Sequence, residues 1–158
     1  MILLNRKVRR RRGTAAVEFG FLLPFILILL LGLWEVGRLI EVNQLLYNAA
    51  REGCRQASTG LINNNAVQQV VINYLKNAGL PTQNVSVTVQ DLTNPGTDVS
   101  NATWMDQLQV IVTIPCDDVT WSSIDLTTNS TSKLTVQAIW NSMKDQTYPT
   151  TINPPPGS

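Results

Sequence analysis

Sixteen consecutive uncharged residues decide how this chain is organised: Phe19-Gly-Phe-Leu-Leu-Pro-Phe-Ile-Leu-Ile-Leu-Leu-Leu-Gly-Leu-Trp34. Residues 14–18 extend this run to 21 residues, in which Glu18 is the one charged side chain. As a helix, the run is about 32 Å long, enough to span a hydrocarbon core of roughly 30 Å. It predicts one membrane-spanning helix near the beginning of the 158-residue sequence.

A basic run comes directly before the apolar one, with six Lys or Arg side chains within residues 6–12. Residues 14–158 carry six basic and eleven acidic side chains, a net charge of −5 (6 − 11). The positive-inside rule therefore predicts that residues 1–13 are a cytoplasmic leader, that residues 14–34 span a membrane, and that the C-terminal part lies outside. Nucleic-acid binding is not expected, because no basic or aromatic surface continues the run.

A cleaved secretory signal peptide is the alternative explanation of a basic segment followed by an apolar one. The apolar run is longer than the usual signal core of roughly 7–15 residues, and no small-x-small cleavage site follows it. A helical pattern instead continues past Trp34 without a break. These two features favour a retained helix.

The helical pattern predicts one long helix from Thr14 to Thr59, about 69 Å in length, ended by Gly60. Small and apolar side chains recur on one side of its second half at Leu39, Val42, Leu46, Ala49, Ala50, Gly53 and Ala57. Pro24 interrupts the apolar half and predicts a kink or a loosened turn. That proline is either a flexible point used when the helix leaves the bilayer or a tolerated membrane proline.

The rest of the sequence predicts an outer domain over residues 35–146 with helix and sheet. Apolar residues at helical spacing predict a short second helix from Ala66 to Ala78. Alternating apolar residues predict three strands, around residues 85–89, 108–114 and 134–140. A turn is predicted at Asn94-Pro-Gly-Thr97, and a loop that contains Trp121 over residues 117–131. The Pro-rich tail over residues 147–158 is expected to be disordered. The expected fold class is α+β, a long helix packed on a three-stranded antiparallel sheet.

Composition argues against an enzyme. The chain has no His, which removes the commonest general base and the commonest metal ligand. Asp117 and Asp118 are adjacent acids after a strand, but no base or phosphate-binding loop accompanies them. No catalytic residue, cofactor or metal is therefore expected.

Glu18 is the most informative single residue. A charged group in the middle of a membrane helix costs on the order of 2.5–3.5 kcal/mol, and less near an end, so Glu18 is expected to have a partner. Cleavage between Gly13 and Thr14 would supply one, because it creates an α-amino group that can pair with Glu18 of a neighbouring subunit. The other explanation is an interfacial acid near the beginning of a helix, where the macrodipole favours negative charge.

Four sequence blocks carry a resemblance to a known family. They are Arg11-Arg-Gly-Thr-Ala-Ala-Val-Glu-Phe19, Leu22-Leu-Pro24, Trp34-Glu-Val-Gly-Arg38 and Asn48-Ala-Ala-Arg-Glu-Gly53. The first resembles the class III signal of type IV pilin-like proteins, and the ordered set resembles the TadE-like minor pilins or pseudopilins of the tight-adherence pilus. The resemblance is strong over residues 10–60 and continues weakly to about residue 144.

The resemblance implies a role. A prepilin peptidase would cut after Gly13, and Glu18 would support assembly with other pilin subunits and the tight-adherence machinery. The subunit would lie in the lipid bilayer of the cytoplasmic (inner) membrane or in an extracellular pilus used for adhesion or secretion. The alternative is an uncleaved, single-pass accessory or binding protein with an external domain.

Two further pairs are predicted on the outer side of the membrane. Glu35 and Arg38 are three residues apart on a helix and can pair, either as a contact between subunits or as a marker of the membrane boundary. Cys54 and Cys116 each fall on an apolar face at the predicted helix–sheet interface, on the side of the membrane where disulfides form. We expect a bridge between them, the alternative being two separately buried thiols.

Overall fold

The computed structural model describes residues 12–120 and 132–144. Its elements are α1 (Arg12–Ser58), α2 (Asn64–Asn77), β1 (Ser86–Asp91), β2 (Gln107–Pro115) and β3 (Lys133–Asn141), with short 3-10 turns at Val99–Asn101 and Cys116–Asp118. The architecture is α+β, as the sequence predicts. The basic leader up to residue 11, Trp121 with most of its loop, and the Pro-rich tail lie outside the described residues.

Helix α1 is 47 residues long and continues through Pro24. It begins two residues before the predicted position and ends one residue before it, which is within the usual uncertainty of helix ends. Gly60 follows it with a φ of +66°, a conformation that favours glycine. The chain changes direction there, and a short connection leads into α2.

Helix α2 begins two residues before the predicted position because of its N-terminal cap. The side-chain oxygen of Asn63 accepts a hydrogen bond from Ala66 N at 2.9 Å, which satisfies an amide that the helix itself leaves unpaired. At the other end Gly79 has a φ of +80°, and Leu80 N donates to Leu75 O at 3.1 Å. This pattern is a Schellman cap, which ends the helix before Pro81.

The three strands form an antiparallel sheet in the order β1-β2-β3. Its register aligns Val89 with Val110 and Val110 with Ala138. Alternate side chains therefore face the helices, and the other face carries a polar ladder in which Gln109 bonds with both Gln90 and Gln137. Such one-sided burial is typical of an antiparallel sheet.

The core lies between the sheet and the outer half of α1. Helix α1 packs against α2, β2 and β3, while α2 also packs against β1. Fully buried residues of α1 are Val42, Leu46, Ala49, Ala50, Cys54 and Ala57. They belong to the same core as Leu108, Val110, Val112 and Ile114 of β2. The side of α1 that the sequence pattern predicts to be buried is thus the side that packs.

Candidate functional site

The first half of α1 has no cover from the rest of the described chain. We define the exposed apolar segment as residues 13–34, in which all residues are exposed except Gly32, which is half-buried. Phe21 is 72% exposed and Leu29 is 68% exposed. By length and composition α1 could span a membrane, and none of the apolar stretch that qualifies it is buried inside the protein.

The predicted cleavage and assembly residues lie at the beginning of this segment. Gly13 and Thr14 are in the first turn of α1 and are exposed. Glu18 is exposed one helical turn beyond Thr14, so the two residues lie on the same side of the helix. The geometry leaves both accessible to another molecule, while cleavage and assembly stay predictions.

The charged residues after Trp34 mark where the apolar segment ends. Trp34 is 67% exposed, whereas Glu35 is buried at 7% exposure. Arg38 forms an ion pair with Glu41, with 2.9 Å between Nη1 and Oε2. The pairing of Arg38 with Glu35 stays a prediction. A contact of Glu35 and Arg38 with another subunit stays a prediction.

The two cysteines are both buried, but the structure does not join them. Both thiols are free, and the Cys54 thiol donates to Ala138 O at 3.2 Å. Ala138 is paired with Val110 of β2, and Cys116 comes six residues after Val110, in the turn beyond the end of β2. At strand spacing, Cys116 is therefore about 20 Å from the pair that the Cys54 thiol contacts. A disulfide needs Cα atoms within roughly 7 Å. The predicted bridge is therefore absent from this structure, and two separately buried thiols are what it contains.

Burial also sets the chemistry of these thiols. Desolvation raises the pKa of Cys54 from 9.0 to about 11, because burial disfavours the thiolate. The pKa of Cys116 is raised as well, by burial and by the neighbouring carboxylate of Asp117. Neither environment is that of a reactive cysteine.

Residues 12–120 and 132–144 contain no group of three or more His, Cys, Asp or Glu side chains that could hold a metal ion. Asp117 and Asp118 lie in the 3-10 turn after β2. The carboxylate of Asp118 accepts a hydrogen bond from the side chain of Asn84 at 3.1 Å, which ties the turn to the residues before β1.

The sequence analysis did not predict the burial of two other acids, Asp91 and Asp106. They are 1% and 6% exposed. The predicted first strand ends at Val89, which would leave Asp91 in a solvated turn. The spacing could have indicated their burial, because alternate residues of a strand lie on the same face. Asp91 is two residues beyond Val89, and Asp106 is two residues before Leu108.

A smaller apolar surface lies at the opposite end of the domain from the exposed apolar segment. Trp104, Met105, Ile139 and Met143 are 42–56% exposed, and Met143 N donates to Ser58 O at the end of α1. Met105 has a φ of +68°, which is uncommon for a residue with a side chain.

Comparison with known proteins gives one similarity. Residues 13–55, a little over a quarter of the chain, match the family model described as TadE-like protein. The match covers the exposed apolar segment and most of the buried stripe of α1, and it is consistent with a TadE-like, pilin-related protein. No curated protein and no solved structure was found to match the chain.

Proposed function

We propose that this chain is a structural subunit, a minor pilin or pseudopilin of a tight-adherence type IV pilus, cut after Gly13 and assembled through α1 in support of adhesion or secretion. One observation carries the proposal. A single continuous helix is apolar and exposed over residues 13–34, and from Val42 to Ala57 it packs into the core of a domain. Such a helix holds a folded domain at one end and leaves the other end for lipid or for neighbouring subunits.

The exposed apolar segment needs cover. Full burial of one large apolar side chain contributes roughly 1.5–3 kcal/mol, and this segment exposes fourteen of them in a single stretch. A bilayer about 30 Å thick provides that cover for an isolated chain. In a filament, the same surface would pack against equivalent helices of other subunits.

Charge supports a defined orientation and a change on processing. The basic leader would keep the first end of α1 on the cytoplasmic side until it is cut. Cleavage after Gly13 would remove six basic side chains and leave a chain of net charge −5 (6 − 11), apart from its termini. The new α-amino group of Thr14 would be the nearest cation available to Glu18 of an adjacent subunit.

The same reasoning supports a structural role in place of catalysis. The chain has no His, and of the adjacent acids Asp117 and Asp118, the carboxylate of Asp118 accepts a hydrogen bond from the side chain of Asn84. We propose no catalytic activity for this subunit.

The mature N-terminus tests the processing step. In a host with an active prepilin peptidase we expect intact-mass measurement and N-terminal sequencing to give a chain that begins at Thr14. In the matched peptidase-deficient host, residues 1–13 should be retained. A chain that begins at Thr14 in the deficient host would contradict the proposal, and an intact leader in the active host would favour the uncleaved membrane protein.

Two glutamates on the same helix test assembly separately from cleavage. Glu18→Gln should leave the mature N-terminus unchanged and lower the amount of the subunit in the sheared pilus fraction. Glu52→Gln, which removes an acid outside the apolar segment that pairs with Arg55, is the matched control and should assemble normally. Equal assembly of both variants would remove Glu18 from the proposed contact.

A further inference from the structure

A hollow lies on α1 at the point where the exposed apolar segment ends. It is lined by Trp34, Gly37, Arg38 and Glu41, and its volume is about 520 Å³. These residues are spaced at i, i+3, i+4 and i+7, so they share one side of the helix. Gly37 leaves the middle of this surface open, since an added Cβ there would meet nothing within 4 Å.

The hollow lies at the level of lipid headgroups when residues 14–34 span a bilayer. Along a helix that rises about 1.5 Å per residue, Arg38 is about 6 Å and Glu41 about 10 Å beyond Trp34. The polar layer on each side of the hydrocarbon core is roughly 5–7 Å thick. Helical side chains lean toward the N-terminus, which is the membrane side here, so both charged groups lie close to this layer.

The same side of the helix is apolar on the membrane side of the hollow. Leu27, Leu30 and Leu31 precede Trp34 by seven, four and three residues, and they are 50–64% exposed. Trp is enriched at the boundary between hydrocarbon and headgroups, because its ring is apolar and its N–H is polar. An acyl chain can therefore lie along these leucines while its headgroup occupies the hollow.

Arg38 and Glu41 present opposite charges side by side. Arg38 Nη1 donates to Glu41 Oε2 at 2.9 Å, which holds the guanidinium group beside the carboxylate. Nε of Arg38 is buried and donates no hydrogen bond within the described part of the chain. The edge formed by Nε and Nη2 is one from which a guanidinium group donates two parallel hydrogen bonds to a phosphate. The side chain of Glu41 is 61% exposed, and its carboxylate can accept hydrogen bonds from a cation.

We propose that this hollow binds the headgroup of one phosphatidylethanolamine molecule, a zwitterionic phospholipid with a primary ammonium group. The phosphate would bind the Nε–Nη2 edge of Arg38 after a change of side-chain rotamer, and the ammonium group would donate to the carboxylate of Glu41. The order of the charges agrees with this assignment. Arg38 is nearer the apolar segment than Glu41, as the phosphate of the lipid is nearer the acyl chains than the ammonium group.

Charge complementarity favours this headgroup over two others. Phosphatidylcholine carries a quaternary ammonium group, which has no N–H to donate to Glu41. Phosphatidylglycerol carries no cation, so its net negative charge would lie beside the carboxylate of Glu41. The inference rests on the insertion of α1 in a membrane, which is part of the proposed function, and does not depend on cleavage or assembly.

Native mass spectrometry of the full chain tests the proposal. The protein is measured in mixed micelles of a non-ionic detergent with equal amounts of phosphatidylethanolamine, phosphatidylcholine and phosphatidylglycerol. We expect one bound phosphatidylethanolamine per chain, retained about five-fold more than phosphatidylcholine, which is the ratio that one exposed charge contact supplies.

Four variants separate the contributions to binding. Arg38→Gln should lower retention of all three phospholipids about five-fold, whereas Glu41→Gln should remove only the preference for phosphatidylethanolamine over phosphatidylcholine. Gly37→Leu fills the hollow without changing a charge and should lower retention of phosphatidylethanolamine. Arg55→Gln is the matched control, because Arg55 forms an equivalent pair with Glu52, at 2.6 Å, further along the same helix. It should bind lipid as the wild type does.

Membrane insertion is measured separately, by flotation of vesicles after an alkaline carbonate wash. A chain that inserts but retains phosphatidylethanolamine and phosphatidylcholine equally would overturn the headgroup site and leave the proposed function intact. Stronger retention of phosphatidylglycerol would indicate a general attraction of anionic lipid and would also overturn it, as would equal binding by Arg38→Gln and Arg55→Gln. A chain that does not insert would contradict both the headgroup site and the membrane step of the proposed function.

Discussion

Cys54 and Cys116 have similar surroundings at the scale of the residue, yet lie far apart in the domain. Each thiol is buried. Cys54 lies beside Ala138, near the middle of β3, whereas Cys116 follows the end of β2. Their burial follows from apolar patterning, while their separation follows from strand register. The chemistry expected of them is therefore that of two inert thiols.

Thiol labelling at pH 8 tests this arrangement. With the pKa of Cys54 raised to about 11, only about one thiol in a thousand is ionised, against about one in ten for an unburied thiol whose pKa is 9.0. We expect iodoacetamide to leave both cysteines of the native chain unmodified, with labelling of Cys54 increasing as the pH rises toward 11. After unfolding without a reductant, mass spectrometry should find two labelled thiols.

A positive control comes from an exposed position. Leu61 is 85% exposed, so the thiol of a Leu61→Cys variant should react rapidly in the folded protein under the same conditions. An unreduced, unfolded wild-type chain that takes up no label would show a disulfide, and would require a strand register different from the one described here.

At the scale of the element, α1 changes partners along its length without changing conformation. Its first half is bare, and its second half lies against α2, β2 and β3. The helices approach closely at Gly53, where an added Cβ would lie 2.6 Å from Val71 Cγ2 and 3.4 Å from Val110 Cγ1. Gly53 thus allows α1 to pack against α2 and the sheet at the same level.

Substitution of this glycine tests the packing. Gly53→Ala should lower the free energy of unfolding by about 1 kcal/mol, because overpacking a core costs roughly 1–3 kcal/mol and exceeds the gain of about 1 kcal/mol in helix propensity. Val71 is β-branched and lies on a helix, so it has little rotameric freedom to move away. Denaturant unfolding in non-ionic detergent, followed by tryptophan fluorescence, measures the change.

A second glycine of the same helix is the control. At Gly37 an added Cβ would meet nothing within 4 Å, so Gly37→Ala should be neutral or slightly stabilising. If Gly53→Ala were as stable as Gly37→Ala, the close approach of α1 and α2 at this level would be refuted.

At the scale of the whole molecule, the exposed apolar segment and the packed domain are separate along the sequence. Core residues run from Val42 on α1 to Ala138 on β3. None of them belongs to residues 13–34. The domain's core is therefore complete without the segment that would enter a membrane or a filament.

A truncated chain tests this separation. A protein that begins at Glu35 should be soluble without detergent, should keep the helix and strand content of residues 35–144 by circular dichroism, and should unfold cooperatively. A chain that lacks only residues 1–11 keeps the apolar segment and should still require detergent. Aggregation of the shorter chain in the absence of detergent would mean that the domain depends on its anchor.

Local patterns in the sequence determined the elements of this protein. An apolar run of membrane length predicts the first half of α1, and apolar residues at 3.6-residue spacing predict the buried side of its second half, from Val42 to Ala57. The alternation of apolar and polar residues predicts the strands. These features are readable because each depends on neighbouring residues along one element. The resemblance over residues 10–60 rests on the same kind of local pattern and agrees with the family match over residues 13–55.

Only the tertiary structure decided which distant residues meet. The packing of α1 on the sheet places the Cys54 thiol beside Ala138 O. Strand register pairs Ala138 with Val110, about 20 Å along the sheet from Cys116. Pairing across strands depends on the fit of whole faces, so a local pattern identifies the strands but not the partners of their side chains.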